Sequence, residues 1–192
     1  MGVVAQLSER DLIERCRAGD PDHEAFRLLY ERHAPELRRF LRRMVGEPAA
    51  ADDALQETFV RAYRALDAFD ALRPLRPWLF GIARRSAIEA LRRRQSAAKL
   101  GALVDEPPVE ARADERLLGD EARELVQAAV GALSPEHREV VLLRLAHGLR
   151  LEEVATALEV TERTVRNRLR AAAVLLEREL RRRGMDAQED PR

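Results

Sequence analysis

Cysteine is nearly absent: Cys16 stands alone among 192 residues. One thiol excludes an internal disulfide framework and any Cys-x-x-Cys metal site, and Cys16 is expected to pack as a small residue of the first helix. Lysine is equally scarce. Of 34 basic side chains, all but Lys99 are arginine, while 34 acidic ones cancel the net charge. Overall charge therefore makes no case for an acidic partner. Aromatics are 4% of the chain, so the core must come from Leu, Ala, Val and Ile, a composition that favours helices. No apolar run approaches the roughly 20 residues of a membrane span, and the N-terminus lacks a signal-peptide pattern. A cytoplasmic protein without membrane insertion is expected. Catalytic patterns are missing too. There is no glycine-rich phosphate loop and no serine in a nucleophile elbow. His23, His33, His137 and His147 lack metal-ligand spacing. The carboxylate pairs Asp52–Asp53 and Glu152–Glu153 read as charges near helix N-termini, not as acid/base dyads. No enzymatic activity, cofactor or metal is expected.

What is present is charge sorted along the chain. Residues 1–95 hold 18 basic and 15 acidic side chains, 96–124 hold 4 and 8, and 125–192 hold 12 and 11. Arg84, Arg85, Arg92, Arg93 and Arg94 share their segment with Glu89 alone. Two basic regions flanking an acidic stretch suggest phosphate contact.

Helical periodicity runs through both flanks. Ser8, with Asp11 three residues on, caps a short helix that stops at Gly19. Phe26, Leu29, Tyr30, His33, Leu37, Phe40, Leu41 and Met44 recur at three- and four-residue steps; Pro35 predicts a kink or two abutting helices. Leu55, Phe59, Ala62 and Leu66 stripe the next helix, over 52–66, with Asp53, Gln56, Glu57, Arg61 and Arg64 off the stripe. After the proline-bearing loop "DALRPLRP", Trp78, Leu79, Ile82, Ala83, Ala87, Ala90 and Leu91 form the buried side of another helix. Residues 95–118 lose the pattern, and their acidic "DEPPVEARADE" reads as a flexible linker. Order resumes near Leu117. Ser134 with Pro135 marks a helix start and Gly148 its end. No segment alternates like a strand. The fold class is all-α, with two small helical domains over 8–95 and 117–183 joined by a linker over 96–116. The domains are expected to fold independently and to stand apart.

The last two helices, "LEEVATAL" and "TERTVRNRLRAA", are separated by a turn of about three residues, the spacing of a helix-turn-helix. Val165, Leu169, Ala172 and Leu176 keep one face of the second helix apolar, and Arg163, Arg166, Asn167 and Arg170 gather on the other. Arginine can pair bidentately with guanine and asparagine with adenine, and both bind phosphates. From the residues alone two readings stay open, a DNA-contacting face and a solvated one.

The blocks "DDALQETFVRAYRALDAF", "PWLFGIARRSAIEALRRR", "LSPEHREVVLLRLAHGL" and "LEEVATALEVTERTVRNRLRAAAVLLEREL" follow one another in order. Together they resemble the bacterial sigma-70 family, in its two-domain extracytoplasmic-function group, over roughly residues 8–182. The resemblance implies a sigma factor that binds core RNA polymerase and directs initiation at promoter DNA. It implies that Asp53, Gln56, Glu57, Arg61 and Arg64 face the polymerase, and that Arg73, Arg76, Arg84, Arg85, Arg92 and Arg93 face the downstream promoter element. Thr164, Arg166, Asn167 and Arg170 then read the upstream element, with Arg163 and Arg168 near phosphates. An anti-sigma partner is also implied. Arg85 stands where many members have asparagine, Glu159 where glycine is common, and Asn167 where serine is usual. The alternatives are a stand-alone helix-turn-helix regulator with a helical sensor domain and a helical protein-interaction module.

Overall fold

A computed structural model describes residues 7–19, 21, 23–99 and 120–183. Among them no strand occurs, and the all-α expectation is borne out. The N-terminal group comprises α1 (Glu9–Arg17), α2 (Glu24–Val45), α3 (Pro48–Ala65) and α4 (Leu75–Lys99). The C-terminal group comprises α5 (Asp120–Gly131), α6 (Pro135–Val141), a π-helical turn (Leu142–Ala146), α7 (Leu151–Leu158) and α8 (Glu162–Arg182). The stretch expected as a linker lies outside the described residues except for 96–99, which continue α4. Leu117 and Leu118 also lie outside them.

Local chemistry sets most boundaries. Ser8 and Asp11 form a reciprocal capping box on α1. Gly46 closes α2 in the left-handed conformation at φ +83°. Glu47 then accepts the amide hydrogens of Ala49 and Ala50 at 2.8 Å each, with Pro48 in the first turn, so α3 starts four residues before the expected 52. Pro77 sits in the first turn of α4, where a missing N–H costs little. Pro35 does not divide α2, which runs through it as one helix. Its ring lies on the exposed side, where water can reach the carbonyl left without an amide partner.

The apolar stripes meet as their spacing dictates. Leu37, Phe40, Leu41 and Met44 of α2 pack with Leu55 and Phe59 of α3 and with Leu79, Phe80 and Ala83 of α4, all at most 5% exposed. Fully burying one such Leu or Phe contributes about 1.5–3 kcal/mol.

One arrangement departs from expectation. The two helical groups do not stand apart; they pack on each other, chiefly through α4 against α7, and a single buried cluster spans both. The reason is apolar surface left over on each side. Phe40 and Phe80 bracket His147 of the C-terminal group, with ring centroids 5.9 and 5.0 Å away. Gly81 lets α4 approach α7 so closely that a Cβ there would lie 3.1 Å from the Ala157 carbonyl oxygen. Arg138 donates to the Met44 carbonyl at 2.9 Å across the same junction.

Candidate nucleic-acid and protein interfaces

The helix-turn-helix is built as its spacing requires. Val154, Ala155, Ala157 and Leu158 bury α7. Glu159 makes the turn in the left-handed region at φ +57°, which is why glycine is the relaxed choice there. Thr161 caps α8 by accepting the Thr164 amide hydrogen at 3.2 Å. Val165 and Ala172 are fully buried and orient α8. That orientation exposes Arg163, Arg166, Asn167 and Arg170. Arg166 pairs with Glu162 one turn back at 2.6 Å. Thr164 is half-buried, its hydroxyl 3.0 Å from that of Thr161. Arg168 points the other way: it reaches Glu139 at 3.2 Å and Glu136 at 3.6 Å, on the inner side of α8.

The second arginine group lies on α4 and the loop before it, and its members are unlike. Arg73, Arg92 and Arg93 are exposed. Arg76 is bound to Glu36 of α2 and to the His147 carbonyl. Arg84 donates to Glu139 at 2.6 Å and Arg85 to Glu159 at 2.5 Å, both carboxylates belonging to the C-terminal group. Glu139 is only 1% exposed. Burial pushes its carboxyl above the usual range, and the Arg84 guanidinium offsets part of that rise. Burial also works to raise Glu36, but hydrogen bonds from His147 and Arg76 outweigh it and hold that carboxyl at about 2. Beside these pairs runs a groove. Phe69, Arg73, Trp78 and Arg85 line one wall, with Arg150, Glu152, Glu153 and Glu159 opposite. The Trp78 ring lies 4.6 Å from that of Phe69 and is half-buried, so it is a groove wall more than a core aromatic.

On α3, Asp53, Gln56 and Arg64 are exposed, and Glu57 and Arg61 half-buried. Arg61 joins α3 to α4, donating to Glu57 at 2.6 Å and to both oxygens of Glu89 at 2.9 and 2.6 Å. These hydrogen bonds raise the Arg61 guanidinium and lower Glu89. Alongside lies an open aromatic groove of Phe26, Tyr30, Phe59, Val60 and Tyr63, continuous with Gln56 and Arg64. Tyr63 is 46% exposed. Periodicity alone puts Phe26 and Tyr30 in the α2 core stripe, but in the fold they line this groove, Phe26 half-buried and Tyr30 exposed. The available signal was aromatic pairing at four-residue spacing, Phe26–Tyr30 and Phe59–Tyr63, with an amphipathic tyrosine as the second member of each pair.

Among the described residues, no group of three or more His, Cys, Asp or Glu could hold a metal ion, and no helix is long and apolar enough to cross a membrane.

Two family models match the chain: Sigma-70 region 2 over residues 29–97 and Sigma-70, region 4 over 123–176. The ECF RNA polymerase sigma factor SigL of Mycobacterium tuberculosis is 33% identical over 147 residues, which is 76% of this chain and 83% of that protein. Among solved structures, CnrH in complex with the cytosolic domain of CnrY superposes with a TM-score of 0.68 at 29% identity, covering 91% of this chain and 97% of CnrH. The sigma factor RpoE in complex with the anti-sigma factor NepR, from Bartonella quintana, gives 0.69 over 81% of this chain and 96% of RpoE, and its 24% identity speaks for the fold.

Proposed function

The chain belongs to the sigma-70 family, in its extracytoplasmic-function group, and is a sigma factor directing transcription initiation; from that premise we propose how its residues divide the work. The N-terminal group, residues 8–95, docks core RNA polymerase and contacts the downstream promoter element. The C-terminal group, residues 117–183, reads the upstream element. The chain carries no catalytic chemistry of its own and works in the cytoplasm, and binding energy opens the DNA.

The observation that carries this division is the exposed face of α8. The side chains of Arg163, Asn167 and Arg170 have no hydrogen bond or ion pair among the described residues, and with Arg166 they lie on successive turns. A helix presented this way can enter a major groove, where Arg166, Asn167 and Arg170 meet base edges and Arg163 meets phosphate. Thr164 supports the helix start. Arg168 serves the same DNA only after leaving Glu139.

Polymerase docking is assigned to the α3 face of Asp53, Gln56, Glu57, Arg61 and Arg64, together with the aromatic groove beside it. Large, rigid aromatics next to mixed charges suit a protein partner. The downstream element falls to Arg73, Arg76, Arg84, Arg85, Arg92 and Arg93. Arginines there attract the backbone, and Trp78 offers a ring for a displaced base. CnrH and RpoE were each solved with a protein partner, and a regulatory partner of the anti-sigma kind is proposed here as well.

Run-off transcription with purified core polymerase on genomic fragments tests the whole reading: transcripts should start at discrete sites only when the chain is present. Asp53→Ala with Gln56→Ala should weaken core binding in competition while the helical fold persists. Unchanged competition would remove the α3 assignment. A stand-alone regulator would instead bind duplex DNA without polymerase.

A further inference from the structure

The groove wall made by Phe69 and Trp78 is only as well placed as the loop that carries Phe69, residues 66–74 between α3 and α4. Two turns build this loop. The second is closed from within: Asp70 accepts the Leu72 amide hydrogen on its carboxylate at 3.0 Å and the Arg73 amide hydrogen on its carbonyl at 2.9 Å. The first, residues 66–69, is closed by the Phe69 amide donating to the Leu66 carbonyl at 3.2 Å, and it is also held from far along the chain. Arg17, the last residue of α1, donates from Nε and Nη2 to the Leu66 carbonyl at 3.2 and 2.9 Å, and Nη2 donates to the Phe69 carbonyl as well. One planar guanidinium thus grips both ends of the turn, as its rigid fork of donors allows. It also meets the carbonyl end of α3, where a cation is favoured. The mount is firm: Leu12 and Ile13 of α1 are buried, and Glu9 lies 3.0 Å from His33 of α2.

We propose that Arg17 is a positioning residue for the downstream promoter element. It fixes the 66–69 turn, the turn fixes Phe69, and the Phe69 ring, 4.6 Å from that of Trp78, fixes the surface on which a displaced base stacks. The proposal rests on the reading of the Trp78 groove as the seat of that base. Arg17 does not line the groove and acts on it only through the turn. Phe69 is buried and Trp78 half-buried, so a displaced turn reaches the groove through the ring pair. A binding group is held as precisely as the contacts that lock its backbone and rotamer. Without Arg17 the turn takes its competent arrangement only part of the time, and the apparent affinity falls by that fraction.

Arg17→Ala in the full chain tests this. Trp78 is the only tryptophan, so its emission in the free protein reports the ring pair directly. The variant should shift that emission to longer wavelength. With core polymerase it should lower transcription from a cognate promoter about tenfold, as when the competent arrangement falls to roughly a tenth of the population. Base preference in a library randomised over the downstream element should flatten. Core affinity in competition and upstream preference should stay at the parent's level, which loss of a contact that merely supports the fold would not spare. Should Arg17→Ala fail to fold, Arg17→Lys, which keeps the cation without the fork, should show the same two changes in smaller measure. Emission and downstream preference must move together. A shifted emission with intact downstream preference overturns the proposal, as does an unchanged emission, or a loss shared equally by upstream preference and core affinity. Trp78→Ala tests the underlying reading separately. If it flattens downstream preference while Arg17→Ala does not, the groove keeps its role and only the positioning fails; if it leaves that preference intact, the groove reading itself fails.

Discussion

Two arginine-bearing helices of one chain are presented in opposite ways. On α8, Arg163, Arg166, Asn167 and Arg170 face solvent, and among the described residues their one side-chain pairing, Arg166 with Glu162, is local to the helix. On α4, Arg76, Arg84 and Arg85 are each tied to residues between 40 and 74 positions away. The contrast shows that an arginine count does not measure an available basic surface. What matters is whether a carboxylate elsewhere in the fold has reached the guanidinium first.

The largest effect expected from breaking this contrast is Arg84→Ala. Glu139 would keep Arg168 but lose its closer partner while almost wholly buried, and breaking a buried pair of this kind costs roughly 3 kcal/mol. A urea denaturation midpoint measures it. Next comes the acid response of the junction. The Glu36 carboxyl stands at about 2 in the folded chain against an ordinary 4.5. A depressed acid stabilises the fold fully above the unfolded value and loses that contribution as pH falls through the folded one. Between pH 4.5 and 2 the chain should therefore lose up to roughly 3 kcal/mol through this group. Glu36→Gln should flatten stability in that window and lower it at neutral pH, as thermal melts across pH would register.

The open face should behave differently. Arg166→Ala, Asn167→Ala and Arg170→Ala should each change stability by less than about 0.5 kcal/mol. Each should nonetheless relax upstream base preference by about 1–3 kcal/mol in a promoter library. Arg163→Ala should weaken binding to all sequences alike and flatten its salt dependence. An intact upstream preference in all three base-contact variants would remove α8 as the reading helix. The smallest effect is expected at the rim of the junction. Arg85 and Glu159 are 46% and 70% exposed, so Arg85→Ala should change stability by less than about 1 kcal/mol.

Much of the local architecture was legible because its causes are local. The box of Ser8 and Asp11, the Ser134–Pro135 start, the Gly148 stop and the three-residue turn 159–161 all act within four or five residues. The unusual Glu159 was visible as a poor turn residue, and its φ of +57° is what the turn demands. Two boundaries were less legible. Glu47 caps α3 through its own side chain, a job more often done by Ser, Thr, Asp or Asn, and Pro35 is harmless because it faces water.

By itself, the sequence determined the helices, their buried stripes and the helix-turn-helix, and it located the arginines proposed to meet DNA, since periodicity and capping depend on neighbours along the chain. Tertiary structure alone decided which of those arginines are free. Glu139 and Glu159 lie 55 and 74 residues from Arg84 and Arg85. Nothing in either stretch announces its partner. The Arg85–Glu159 pair sits where Gly81 lets α4 approach the α7 backbone at Ala157, while Arg84 reaches Glu139 of α6, and close approach of helices is a property of packed surfaces, not of any segment read alone.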